Sequence, residues 1–198
     1  MYPLVETLKI HGKKIFHVEY HNLRLNKARA KIFGIDDEID LQHYIQLPGN
    51  LNEDMYKCRV LYGKEMGNVE FAPYQVKNIQ TLKLVEANNI NYKFKYNNRD
   101  GLNYLLTLKE QCDDIIIIKN GNITDSSSGN LVFFDGREWV TPSTPLLAGT
   151  CRQRLIDAKI IMGSEIKVSD IQEFKEVKII NAMRGMELDG VPINNIYF

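Results

Sequence analysis

The chain has 198 residues, 44% of them apolar and 25% charged, with 25 basic against 25 acidic side chains. That length and composition suit one or two small globular domains with a substantial core. Zero net charge gives no electrostatic reason to expect nucleic acid or an anionic membrane as partner. The three cysteines, Cys58, Cys112 and Cys151, are far apart and odd in number, which excludes a disulfide framework or a zinc site as the expectation. The start, Met1-Tyr2-Pro3-Leu4-Val5-Glu6, does not read as a signal peptide, and the longest strongly apolar run, Ile115 to Ile118, is too short to span a bilayer. A cytoplasmic enzyme or binding protein is the expectation.

Residues 4–10 and 14–17 read as two short strands around the turn His11-Gly12-Lys13. Residues 19–33 place Leu23, Ala30 and Phe33 near helical spacing, with Gly34 as the C-cap. A second helix is expected over 40–46, ending before Pro48-Gly49-Asn50. Residues 56–62 and 68–74 read as an antiparallel pair and 81–85 as another strand. Residues 92–96 alternate lysine with aromatic, so a strand there places Lys93 and Lys95 on one face. A helix follows over 99–110, then a buried strand over 114–119, the turn Asn120-Gly121 and a strand from Asn122. A hairpin is expected over 131–141, a helix from Gly149 or Thr150 to about Lys159, and strands near 165–168 and 177–181. Hairpins with segregated helices read as α+β. The expected division is a small N-terminal α+β domain, 1–76, and a larger C-terminal α+β domain, 77–198.

Three segments have residue types that carry chemistry. Lys95 could be a solvated strand lysine, or an imine-forming lysine if it is partly desolvated. Asp125, followed by Ser126-Ser127-Ser128-Gly129, could close a plain turn or hold a cation. Thr141-Pro142-Ser143-Thr144-Pro145 leads to Gly149-Thr150, where the amides of a helix start make either an ordinary cap or a phosphate cup. His11, His17, His21 and His43 lack metal-ligand spacing with acidic residues, and no metal is expected. The serines of 126–128 lack a nucleophile-elbow pattern.

In this order, the segments resemble the pyridoxal-phosphate (PLP) enzymes of fold type IV, the class IV aminotransferases and aminodeoxychorismate lyase. Glu6-Thr7 is similar to the family's N-terminal "E-T". His21-Asn22-Leu23-Arg24-Leu25 is similar to "H-x-x-R-L", and Lys95-Tyr96-Asn97-Asn98-Arg99 to the lyase branch's "K-x-x-N-R". Thr124-Asp125 with Asn130 resembles "T-E-x-x-x-x-N", Gly149-Thr150-Cys151-Arg152 resembles "G-I-T/M-R", and Asn181-Ala182-Met183 resembles the lyase branch's "N-A-L/M". The resemblance spans residues 4–190. It implies a two-domain fold type IV architecture with the active site between the domains, PLP as cofactor, a small-molecule amino substrate and a homodimer. It implies Lys95 as the Schiff-base lysine and proton shuttle, Asp125 facing the pyridine nitrogen, Arg24, Gly149 and Thr150 on the phosphate, and Asn181 at the cofactor.

The sequence departs from the family in three places. Asp125 stands where the family has glutamate. Tyr62-Gly63 stands where the family carries a substrate-carboxylate arginine in "R-G", and Arg59 falls on the opposite strand face. No "G-D-G" turn precedes Glu6, so a trimmed N-terminal domain is expected. Asn98-Arg99 and Asn181-Ala182 lean toward an aminodeoxychorismate lyase, which releases pyruvate to give 4-aminobenzoate. A branched-chain or D-amino acid aminotransferase and a non-catalytic protein of the same fold are the alternatives.

Overall fold

The run Leu4, Glu6, Leu8 and Ile10 points to one face of a strand, and all four residues are buried, the carboxylate included. This strand, β1 (Leu4–His11), pairs with β2 (Lys14–Ile15) across the Gly12-Lys13 turn, and with β3 (Tyr56–Tyr62) on its other edge. Strand β4 (Met66–Pro73) completes an antiparallel sheet in the order β2-β1-β3-β4. The computed structural model describes residues 3–198. Helix α1 (Val18–Phe33) ends at Gly34, whose N–H caps the Ala30 carbonyl, and α2 (Leu41–Tyr44) is capped by the Asp40 side chain. Helix α2 is shorter than the expected 40–46.

Two expectations in this region need correction. The strand expected over 14–17 stops at Ile15, because His17 takes a left-handed conformation (φ 55°) as the N-cap of α1. The buried face of α1 is His21, Leu25, Ala28 and Arg29; Leu23 is 68% exposed. The sheet face beneath carries Glu6, and a buried carboxylate needs polar partners, so the helix turns His21 and Arg24 inward instead of Leu23.

Contacts divide the chain into a first unit, which ends at Val76 and takes in Phe94–Asn98, and a second, Lys77–Lys93 with Arg99–Phe198. The first unit is the sheet just described, with a core of Leu4, Leu8, Leu25, Val60 and Tyr62 against which Phe94 and Tyr96 lie. The expected strand over 92–96 does not form. Tyr96 makes a single bridge with Leu4, Val5 N donates to Lys95 O, and Asn97 N donates to Pro3 O. Tyr96 N donates back to Phe94 O, which bends the chain, so Lys93 is exposed while Lys95 is half-buried. The two lysines therefore do not share a face.

In the second unit, β5 (Leu82–Glu86), α3 (Asp100–Thr107) and β6 (Asp114–Lys119) precede the hairpin to β7 (Asn122–Ser126). Then come β8 (Asn130–Phe134), β9 (Trp139–Pro142), α4 (Thr150–Asp157), β10 (Met162–Ser164), β11 (Glu176–Ile180), β12 (Val191–Pro192) and β13 (Ile196–Tyr197). Among the described residues these strands form one mixed sheet, β10-β9-β8-β7-β6-β5-β13, with β11 on β8 and β12 on β11. Its core gathers Leu82, Ile116, Ile123, Leu131, Phe133, Ile171 and Val177. The strand expected over 165–168 is absent. Lys167 makes one bridge with Asn122, and Asp170 then accepts from Lys167 N and starts a 3-10 helix, Val168–Glu173. None of the cysteines is in a disulfide and all three are buried. Among the described residues no helix is long and apolar enough to cross a membrane.

Candidate functional site

In the first unit a charge cluster sits inside the apolar sheet face. Positions 21 and 24 lie one turn apart on α1 and meet Glu6 on β1. Arg24 Nε donates to Glu6 Oε1 at 2.8 Å and Arg24 Nη2 to Glu6 Oε2 at 2.6 Å, a bidentate pair. His21 Nδ1 lies 2.6 Å from Glu6 Oε2. Burial opposes ionisation of Glu6, but Arg24 and His21 more than offset it and hold its carboxyl down to about 2. Burial lowers His21 below the ordinary imidazole range, against the pull of Glu6, so the ring is neutral and Nδ1–H is the donor. The positive charges of Arg24 and Lys95 push His21 the same way. Lys95 is thus close enough for its charge to be felt at this cluster.

Tyr62, expected from the resemblance to stand in place of a substrate-carboxylate arginine, is fully buried, and burial raises its phenol. Arg59 projects from the other face of β3, where it pairs with Glu70 at 2.7 Å and donates to Asn97 Oδ1 at 2.8 Å. It braces the segment that carries Lys95.

The second unit holds Asp125 at the end of β7, opposite Asn130 in the β7–β8 pair. Asp125 is 5% exposed. Its Oδ1 accepts from Asn130 Nδ2 at 2.7 Å and its Oδ2 from Leu147 N at 2.9 Å. Burial pushes its carboxyl up to about 7; the bonds from Leu147 and Asn130 and the charge of Arg152 offset that only in part. Leu147 lies in the loop that leads to Gly149, the N-cap of α4, and to buried Thr150. Arg152, in α4, ties the helix back to the end of β9, donating to Thr141 Oγ1 and Pro142 O.

The Ser126–Gly129 turn beside Asp125 is closed by Ser126 N and Oγ donating to Gly129 O. A Cβ at Gly129 would lie 2.4 Å from Ile180 O, so only glycine fits the approach of β11. Arg99 donates to Ser127 O at 2.7 Å and Asn181 Nδ2 to Ser128 O at 3.0 Å. Asn181 Oδ1 also accepts from Met183 N and Arg184 N. Asn181 is therefore gathered to the turn beside Asp125 through backbone contacts.

The amino-transferase class IV family matches residues 3–188. The chain belongs to that family. A Haemophilus influenzae protein is 40% identical over 188 residues, 94% of this chain and 100% of that protein. A candidate 4-amino-4-deoxychorismate lyase from Haemophilus somnus 129PT is 35% identical, with a TM-score of 0.86 over 94% of this chain and 98% of that one. A hypothetical aminotransferase of Mycobacterium tuberculosis in its PLP-bound form has a TM-score of 0.76 at 16% identity, over 98% of this chain and 81% of that one. The last likeness shows the fold alone. The architecture is the α+β fold of the type IV PLP enzymes, as the sequence motifs imply.

Three polar residues of these clusters escaped assignment from sequence: Glu6, His21 and Asn130. Glu6 had a legible signal, a carboxylate at an inward position of an otherwise apolar alternation.

Proposed function

We propose that the chain is a PLP-dependent enzyme that acts as an aminodeoxychorismate lyase, releasing pyruvate to leave 4-aminobenzoate. The observation that carries the cofactor is the donor set around Asp125. A buried carboxylate held at about 7, hydrogen-bonded by two neutral donors, suits a cationic ring nitrogen as its partner. The Gly149-Thr150 helix start suits a dianionic phosphate, and the reading assigns Arg24, which here pairs with Glu6, to that phosphate as well.

PLP, when bound, supplies a ring that takes up the electron pair left on the substrate carbon. Lys95 would hold the cofactor, and its amine would move the proton at the carbon that bears the substrate's amino group. Asp125 would face the ring nitrogen as its counter-charge and favour the protonated ring. The Gly149 and Thr150 amides would hold the phosphate. The reading requires Lys95 and Asp125 to serve one cofactor molecule, and it takes the enzyme as a homodimer.

The lyase reading is supported by Asn98-Arg99, by Asn181-Ala182-Met183 and by the Haemophilus somnus relative. The second reading, transamination of a small amino acid, is favoured by the family itself. One assay separates them. Purified protein with PLP is given aminodeoxychorismate in one tube, and D- or L-amino acids with a 2-oxo acid in others. The lyase forms 4-aminobenzoate and pyruvate in equal amounts; amino-group transfer without 4-aminobenzoate would make the protein an aminotransferase. Light scattering with PLP tests the homodimer, and a monomer at micromolar concentration would contradict it.

A further inference from the structure

Asn130 is 4% exposed, and both N–H bonds of its amide are in use. Nδ2 donates to Asp125 Oδ1 at 2.7 Å and to Leu147 O at 2.8 Å, while Leu147 N donates to Asp125 Oδ2 at 2.9 Å. Asp125, Asn130 and Leu147 thereby close a ring in which each residue bonds to the other two. The two acceptors fix which amide atom is nitrogen, since an oxygen there would face two other oxygens. The amide oxygen occupies the space where Gly149 lacks a side chain: a Cβ at Gly149 would lie 2.0 Å from Asn130 Oδ1. One amide therefore touches the carboxylate on one side and the entry to α4 on the other.

We propose that Asn130 is the positioning residue that locks the Asp125 carboxylate to the Leu147–Gly149 loop, so that the partner of the ring nitrogen and the phosphate cup are set as one unit. The inference rests on the PLP reading and deepens it. The ring closes with an aspartate-length side chain, each carboxylate oxygen accepting one bond. The buried carboxylate is thereby oriented before any ligand arrives. Arg152 ties α4 to the end of β9 but contacts neither Asp125 nor Asn130 by a hydrogen bond among the described residues, so it cannot substitute for the amide.

The test uses apo protein, refolded or dialysed free of cofactor and checked by circular dichroism, titrated with two probes. One is PLP; the other is 4-deoxypyridoxine 5′-phosphate, which has no aldehyde to react with Lys95 and reports non-covalent seating alone. Asn130→Ala should weaken both probes by about ten-fold to a hundred-fold, the loss of one to two charge-assisted contacts. Asn130→Ser, which keeps one donor, should recover part of that loss. In the double variant Asp125→Asn/Asn130→Ala the losses should not multiply, because the amide acts through the carboxylate. Asn130→Ala or Asn130→Ser binding both probes as the parent does would overturn the proposal, and so would losses that multiply in the double variant. If Asn130→Ala does not fold, Asn130→Ser decides by the same criterion. Parent protein that binds neither probe would instead overturn the PLP reading, and this proposal with it, before any variant is compared.

Discussion

Arg24 and Glu6 form a two-point ion pair inside the first unit, with Glu6 fully buried and the Arg24 side chain 16% exposed. A guanidinium so engaged has two tasks if it also meets a phosphate: it neutralises a buried carboxylate and presents charge to the ligand. The neutral His21 ring completes the solvation of Glu6.

The first expectation follows from that pair. Arg24→Ala leaves a buried carboxylate uncompensated and should cost the apo protein about 3–5 kcal/mol, read from denaturant unfolding. It should also weaken PLP. Replacing both partners, as in Glu6→Leu/Arg24→Leu, should cost less stability than Arg24→Ala alone. If Arg24→Ala unfolds like the parent, the pair is not what holds Glu6.

Acid should attack the same cluster. Glu6 titrates at about 2 in the fold against an ordinary 4.5, so its contribution is present above pH 4.5 and is lost as pH falls toward 2. The amount is on the order of 3 kcal/mol. His21, whose ionisation is also depressed by burial, adds to the loss on acidification. Glu6→Gln should start less stable than the parent but show a flatter decline below pH 4.5. A parallel decline in the two proteins would contradict the assignment.

Asp125 has the opposite sign. Its carboxyl titrates at about 7 in the fold against an ordinary 3.8, so the fold favours the protonated form. Apo stability should fall as pH rises from 3.8 to about 7, by on the order of 4 kcal/mol at most. Asp125→Asn should remove that slope. The same variant should still attach PLP at Lys95, while turnover drops by at least about ten-fold because the ring nitrogen loses its counter-charge. Full turnover in Asp125→Asn would reduce Asp125 to a turn residue. Asp125→Glu should turn over more slowly than the parent, since a carboxylate one methylene longer must shift from the two bonds that Asp125 accepts here.

Gly149→Ala tests the phosphate end. The new Cβ would meet Asn130 Oδ1 at 2.0 Å, a separation no packing adjustment of a buried amide accommodates without moving. PLP affinity should fall at least as far as in Asn130→Ala. Unchanged affinity would place the phosphate elsewhere.

Much of this was legible in the chain. The continuous apolar run Ile115 to Ile118 located β6, and the pairs Asn120-Gly121 and Gly149-Thr150 located a hairpin and a helix start. Local pattern misled where long-range contacts decide. Lysine–aromatic alternation at 92–96 looked like a strand, yet its backbone is taken up by Pro3 and Val5 at the start of β1, which bends it. Leu23 looked inward because it is apolar, but Glu6 beneath α1 drew His21 and Arg24 inward instead. Asn130 stood in a motif without a role, because its task appears only when Leu147, seventeen residues on, closes the ring.

The most direct test of the central claim is to add PLP to the purified protein, reduce with borohydride and map the modified peptide by mass spectrometry. A pyridoxyl group on Lys95, absent from Lys95→Ala protein that is still folded, is the predicted result. A reduced cofactor on a different lysine, or none on any lysine although the protein is folded and saturated with PLP, would contradict the account.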